Sequence, residues 1–289
     1  MKREKINHIT HKQYRKVKKY CNSIAPGYDI ETIHQFRVAY KKLRAFLRMI
    51  AEGEGLLSGT GISGNLKAGY HISGTIRDLQ LQQQRVREAS KYEVLKPKAY
   101  LSLLQKEIDR LKPSLSEIVS ENPVAKSKKR TDAFIPHAFP ESSFRHFVQK
   151  KWDEVYEIMA AGHFSDTTLH AIRKKLKDLF YNFEIYDGVG QNILLQGIWK
   201  GKAEGQLTGL LDELGRFQDQ CIAIALIKPR WLNSLPGNNH TLMERIKKIW
   251  IKDKLYMKRL LLKKLETDLI PKQTMQRLKP STHHFLDVN

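Results

Sequence analysis

The feature that most limits the possible folds is a pattern of basic residues that occurs twice in the chain. The first copy is His34-x-x-Arg37-x-x-x-Lys41-x-x-Arg44, and the second is His170-x-x-Arg173-Lys174-x-x-Lys177. After each copy comes a glycine followed four residues later by an aspartate, first Gly74 and Asp78, then Gly215 and Asp219. Two elements that recur in the same order indicate a duplicated unit.

Each copy has the period of an amphipathic helix. At about 100° per residue, the basic side chains of a copy fall in one narrow sector and the apolar side chains fill the adjoining sector. The first stripe consists of His34, Arg37, Lys41, Arg44 and Arg48, and the second stripe consists of His170, Arg173, Lys174, Lys177 and Tyr181. Like charges three or four residues apart repel each other and destabilise a helix slightly. A bound polyanion would offset this repulsion, so both stripes are candidate binding surfaces.

The remainder of the chain also has a helical period, and no segment alternates every two residues as a strand would. We therefore predict an all-α protein built from helical bundles, in which Gly74 and Gly215 permit close helix packing. A single domain is expected over residues 1–265, with a first half at 5–120 and a second half at 144–265. Residues 121–143 contain three prolines and a basic run at 126–130, which predict a flexible basic linker without helix. Residues 279–289 are expected to form a loose tail.

The charge of the chain favours an anionic partner. Lys and Arg number 51 against 30 acidic residues, a formal net charge of +21, which attracts nucleic acid, anionic membrane surfaces or inorganic polyanions. No apolar run is long enough to span a bilayer, and the N-terminus lacks the apolar segment of a signal peptide. The two cysteines have no zinc-binding spacing. We therefore expect a cytoplasmic protein.

Together with Ile76-Arg77-Asp78-Leu79 and Leu214-Gly215-x-x-x-Asp219, the two copies resemble the conserved histidine α-helical domain (CHAD) family, over about residues 5–265. The resemblance implies two four-helix-bundle-like halves, related by a pseudo-two-fold axis, around a basic central cavity or groove. It also implies binding of inorganic polyphosphate. The second stripe departs from the family pattern, because Phe180 replaces an arginine and Asp178 adds an acid. The first stripe is therefore expected to bind more strongly.

We expect non-enzymatic binding of polyphosphate by the two stripes, without a cofactor or metal. Arg bridges two phosphate oxygens, and Lys adds a mobile point charge. The expected ligands are His34, Arg37, Lys41, Arg44, Arg48, Arg77, His170, Arg173, Lys174, Lys177 and Tyr181. Association with polyphosphate granules would fit this activity.

Two other functions stay open at this point. The composition permits a nucleic-acid-binding module, although no helix-turn-helix or RNA-binding signature is present and Tyr181 is the one good candidate for base stacking. A metal-dependent polyphosphate-processing enzyme would use a histidine with metal held by Asp78 and Asp219. The aspartates are more simply explained as partners that orient basic side chains. His34 and His170 would equally serve as neutral histidines within a bundle, since neither has a nucleophile or a second metal ligand at the usual spacing.

Overall fold

The structure is a computed structural model that describes residues 1–53, 61–183, 185 and 204–269. All regular structure in these residues is helical, apart from one isolated bridge between Lys2 and Ala138. The prediction of an all-α protein is confirmed. The predicted tail at 279–289 lies outside the described residues. None of the described helices is both long enough and apolar enough to cross a membrane.

The helices are labelled in chain order. The first five are α1 (Arg3–Asn22), α2 (Ile30–Gly53), α3 (Gly64–Ala89), α4 (Lys98–Ser120) and α5 (Pro123–Asp132). The next five are α6 (Glu141–Ala160), α7 (Asp166–Phe183), α8 (Glu204–Leu226), α9 (Pro229–Leu232) and α10 (Gly237–Leu269).

Consecutive long helices pack against each other. In the first half α1 contacts α2, α2 contacts α3 and α3 contacts α4, and in the second half α6 contacts α7, α7 contacts α8 and α8 contacts α10. The apolar side of the first stripe's helix, with Phe36, Tyr40, Leu43 and Phe46, is fully buried in the core. On the second stripe's helix Ile172, Leu176 and Leu179 are fully buried in the same way. The hydrophobic effect buries these apolar sides and so orients α2 and α7 in the core. This orientation determines where the basic side of each helix points.

The two parts of the chain that were predicted as halves contact each other through the helices that carry the repeated motifs. Helix α2 packs against α7 and α6, and α3 packs against α8. These contacts bring the stripe-bearing helices α2 and α7 together and the glycine-bearing helices α3 and α8 together. The pseudo-two-fold relation between the halves stays a prediction.

The segment predicted as a flexible linker contains helix α5, so the prediction of no helix is wrong over Pro123–Asp132. Proline at the first position of a helix is favourable, because its missing N–H has no partner there in any case. A helix of ten residues is marginal in isolation, and α5 is held by tertiary contacts instead. Val124, Ser127 and Thr131 are buried, and the last two hydrogen-bond the hydroxyl of Tyr14 on α1. The half boundaries drawn on either side of this segment stay predictions.

Candidate anion-binding site

Four helices carry the repeated motifs, and they contact one another in a closed ring. Helix α2 contacts α3, α3 contacts α8, α8 contacts α7, and α7 contacts α2. The first stripe lies on α2 and the second on α7, whereas the glycine–aspartate pairs lie on α3 and α8. Elements more than 100 residues apart in sequence are thus brought to one place.

Lys41 shows where the basic residues of both halves converge. Its pKa is lowered from the ordinary 10.5 to about 8, first by burial and then by the positive charges of Arg37, Arg173, Arg77 and Arg44. Three of these arginines belong to the first half and Arg173 belongs to the second stripe. We call these five residues the cationic cluster. Five neighbouring cations at a partly buried position are costly. The carboxylate of Asp78 offsets part of this charge, and the remaining positive surplus favours an anion.

Both histidines of the pattern lie beside this cluster and are half-buried. Burial lowers the pKa of His34, and Arg77 and Lys41 lower it further. Burial also lowers the pKa of His170, as do Lys174, Arg173 and Lys41. Both imidazoles are therefore neutral at pH 7 in the free protein. A nearby polyanion would raise both pKa values and favour the imidazolium form.

The guanidinium of Arg37 is held against helix α3. Its Nη1 donates a hydrogen bond of 2.6 Å to the carbonyl oxygen of Tyr70, and its Cζ lies 4.4 Å from the centre of the Tyr70 ring. A Cβ placed on Gly74 would lie 2.0 Å from Nη1. The guanidinium thus occupies the space that any other residue at position 74 would fill. Gly74 was predicted to permit helix packing, and its neighbour proves to be an arginine side chain.

The corresponding arginine and glycine of the second copy also lie next to each other, but at longer distances. Arg173 lies over Gly215, where an added Cβ would be 3.5 Å from Nη2 and 3.7 Å from Nε. Arg37 therefore faces Gly74 in the first copy, and Arg173 faces Gly215 in the second copy. The constant order of arginine and glycine in the two copies was the sequence signal for this contact.

Several donors in the site have no hydrogen-bond partner among the described residues. They are the Nε atoms of Arg44, Arg77 and Arg173, all of them buried, and the buried Nδ1 atom of His170 likewise has no partner there. The guanidinium of Arg44 lies over the stacked rings of Tyr40 and Tyr70, 5.7 and 5.5 Å from their centres. Buried donors are normally satisfied, and phosphate oxygens are strong acceptors for guanidinium groups.

The two aspartates of the repeated motif lie among the arginines. Burial raises the pKa of Asp78, an effect that Arg37 and Arg77 oppose and the negative charge of Asp219 reinforces. The backbone carbonyl of Asp219 accepts a hydrogen bond of 2.8 Å from Arg85, whose Nη2 also lies 3.8 Å from the Asp219 carboxylate. Within the described part of the chain no group of three or more His, Cys, Asp or Glu side chains could hold a metal ion.

The rest of the predicted site has other contacts. Arg48 forms a 2.5 Å ion pair with Asp178, which joins α2 to α7. Lys177 lies 5.0 Å from the centre of the Phe180 ring and 5.6 Å from that of Tyr181. Tyr181 is only 9% exposed, so its ring offers no open platform for a nucleic-acid base. Lys174 is exposed next to His170.

Sequence reasoning missed Tyr70, which holds Arg37, and Gln218, which hydrogen-bonds His170.

Fold and site together define an all-α helical protein with a cluster of basic side chains between its helices. The family model of the CHAD domain matches residues 8–228, well over half of the chain. The protein therefore belongs to the CHAD domain family, which is linked to the binding of inorganic polyphosphate.

A solved structure supports the fold independently. The crystal structure of the CHAD domain from the plant Ricinus communis is similar, with a TM-score of 0.64 over 92% of this chain and 91% of that chain. The two sequences are 16% identical, so this likeness establishes the shared fold and no more. A comparison with curated proteins gave no match.

Proposed function

We propose that the protein binds inorganic polyphosphate at the cationic cluster and does not act on it chemically. The observation that carries the proposal is the environment of Lys41, whose pKa falls to about 8 because burial and four guanidinium groups disfavour its charge. A polyanion at this position would attract all five cations and would offset the repulsion between them. The two halves would then both contact the same ligand.

Polyphosphate suits this site chemically. It is a flexible chain with about one negative charge per phosphate, and planar guanidinium groups bind such oxygens in pairs. The guanidinium groups of Arg44, Arg77 and Arg173, whose buried Nε atoms have no partner among the described residues, would donate hydrogen bonds to it. Many modest contacts add up along a chain, and release of counter-ions makes such binding fall steeply with salt.

We expect the other predicted ligands to contribute less to binding than the cationic cluster does. His34 and His170 would become charged as the anion raises their pKa values, and the exposed Lys174 would add a contact beside His170. Lys177 and Tyr181 lie further along α7. Arg48 would contribute least, because its guanidinium is paired with Asp178.

The test replaces Arg37, Lys41 and Arg44 with alanine in one triple variant. Each lost charge-assisted contact costs roughly 1 kcal/mol or more, so the loss of all three should lower affinity for long-chain polyphosphate about a hundredfold or more. The matched control replaces Lys248, Lys252 and Lys263 on α10 with alanine, which removes the same charge from an exposed surface. Isothermal titration calorimetry at 150 mM salt measures affinity, and circular dichroism checks folding. Equal losses in the two variants would mean that the cluster is not the site.

Two further measurements separate the alternatives. Duplex DNA that displaces polyphosphate at equal charge concentration would favour the nucleic-acid-binding module. Metal-dependent release of orthophosphate, abolished by His34→Ala, would favour the polyphosphate-processing enzyme. Under our proposal DNA competes poorly and no orthophosphate is released.

We place this binding in the cytoplasm, in association with polyphosphate granules. Both cysteines are free thiols, Cys21 buried and Cys221 partly so, which fits a reducing compartment. Co-localisation of a tagged chain with a polyphosphate stain tests the placement.

A further inference from the structure

A basic groove lies away from the cationic cluster, between α1 and α5. It is a cavity of ≈ 480 Å³ whose polar lining consists of His8, His11, Tyr14, Arg15, Lys18 and Lys128. None of these residues belongs to either stripe. The volume falls within the range of small-ligand sites, about 300–1,000 Å³.

The two helices that form this groove carry an unusual share of the positive charge. Helix α1 contains seven Lys or Arg and one acid, and α5 contains four Lys or Arg and one acid. The acid of α5, Asp132, lies 2.7 Å from the ammonium of Lys128 and 3.4 Å from His11. Arg15 and Lys18 are exposed and form no ion pair with any described residue. The groove therefore keeps a surplus of positive charge after its internal pairing.

The walls of the groove are held together by buried hydrogen bonds. The Tyr14 hydroxyl lies 2.7 Å from the Thr131 hydroxyl and 3.1 Å from that of Ser127. Ser127 in turn accepts a hydrogen bond of 3.1 Å from the backbone N–H of Ser63. These contacts fix α5 against α1 before any ligand arrives, and such pre-organisation lowers the entropic cost of binding.

We propose that the α1–α5 groove is a second binding site, for a compact oligophosphate group. Arg15 supplies a planar pair of donors and Lys18 supplies a point charge, the combination that suits clustered phosphate oxygens, whereas Lys128 is already paired with Asp132. Val124 and Ala125 are the apolar residues of the lining, and the Tyr14 hydroxyl is turned toward α5. The Tyr14 ring is only 2% exposed, and the imidazoles of His8 and His11 are the other rings of the lining, so we expect the phosphates to carry the recognition.

The test uses inorganic tripolyphosphate and the full chain in which Arg37, Lys41 and Arg44 are already alanine. Calorimetry should find about one tripolyphosphate still bound per chain. Adding Arg15→Gln and Lys18→Gln should weaken that binding about tenfold or more. The matched control, Lys12→Gln with Lys16→Gln, removes the same charge from exposed positions of α1 outside the groove, and should change affinity less than about twofold.

These outcomes test the α1–α5 groove site independently of the proposal for the cationic cluster. No binding of tripolyphosphate to the triple variant, or equal losses from the two glutamine pairs, would overturn the groove site. The cluster proposal is judged instead on long-chain polyphosphate and the α10 control. ATP serves as the second arm: similar affinity for ATP and tripolyphosphate supports recognition of phosphates alone. Binding of ATP more than about tenfold tighter would assign a nucleotide site and overturn the proposal.

Discussion

Gly74 and Gly215 occupy the same place in the two copies of the motif but have different space around them. A Cβ on Gly74 would lie 2.0 Å from Nη1 and 2.5 Å from Cζ of Arg37, so the guanidinium would have to move. A Cβ on Gly215 would lie 3.5 Å from Arg173, an ordinary van der Waals contact. The same substitution should therefore have different consequences at the two sites.

We predict that Gly74→Ala weakens polyphosphate binding several-fold while leaving stability nearly unchanged. The displaced group is the end of a flexible side chain, and alanine favours a helix by up to about 1 kcal/mol over glycine, which offsets the lost contact with Tyr70. Gly215→Ala should gain that helical stability and keep affinity within about twofold. Calorimetry and urea unfolding measure the two quantities.

The double variant with Arg37→Ala serves as the control for this prediction. Without the Arg37 side chain, Gly74→Ala should have no further effect on affinity, because it acts through that guanidinium. An additive loss in the double variant would show that position 74 affects binding by another route.

The join between α2 and α7 depends on polar contacts as well as on the core. Arg48 and Asp178 pair there with side chains 33% and 13% exposed, and the amide of Asn182 donates a 3.2 Å hydrogen bond to the carbonyl of Ala45. Burial raises the pKa of Asp178, and the positive charge of Arg48 opposes that rise. Arg48 thus links the two halves in the free protein.

We predict that Asp178→Asn lowers the free energy of unfolding by about 1–3 kcal/mol, because it leaves the Arg48 guanidinium partly buried without a counter-charge. Urea unfolding measures the loss. The double variant Arg48→Gln with Asp178→Asn should recover part of it, since no unpaired charge remains. Affinity for polyphosphate should not fall in Asp178→Asn, and a loss of binding there would show that the ion pair itself shapes the site.

The helices that carry a clear period were predictable, and the contacts between them were not. The apolar sides of α2 and α7 follow from their 3.6-residue period, so the two stripes and the all-α class could be read from the sequence. Asp178 was noticed only as an acid near the second stripe, because nothing local indicates a partner 130 residues away. Helix α5 was missed because it is held by the buried contacts of Val124, Ser127 and Thr131 with neighbouring helices, and the sequence does not show those partners. The partner of Gly74 depends on how α2 and α3 are rotated against each other, which spacing does not determine.

The whole molecule concentrates part of its +21 net charge where α2 and α3 pack against α7 and α8. Repulsion within the cationic cluster opposes the packing of α2 and α3 against α7 and α8, which the apolar core overcomes. A polyanion that binds only the folded state would stabilise it by mass action. Stability, protonation and ligand binding are therefore coupled through the same few side chains.

Lys41 makes this coupling measurable as a pH dependence. Its pKa is about 8 when folded against an ordinary 10.5, so between these values the unfolded state binds more protons and stability rises with pH. From pH 7 to pH 9 the wild type should gain about 1 kcal/mol relative to Lys41→Gln. The comparison with the variant cancels the contribution of the two cysteine thiols, whose pKa values are raised to about 11, first by burial. Bound polyphosphate would keep Lys41 charged and abolish the relative gain.

Urea unfolding at both pH values, with and without polyphosphate, measures this relative gain in stability. Parallel pH profiles for wild type and variant without ligand would contradict the crowding of charge around Lys41.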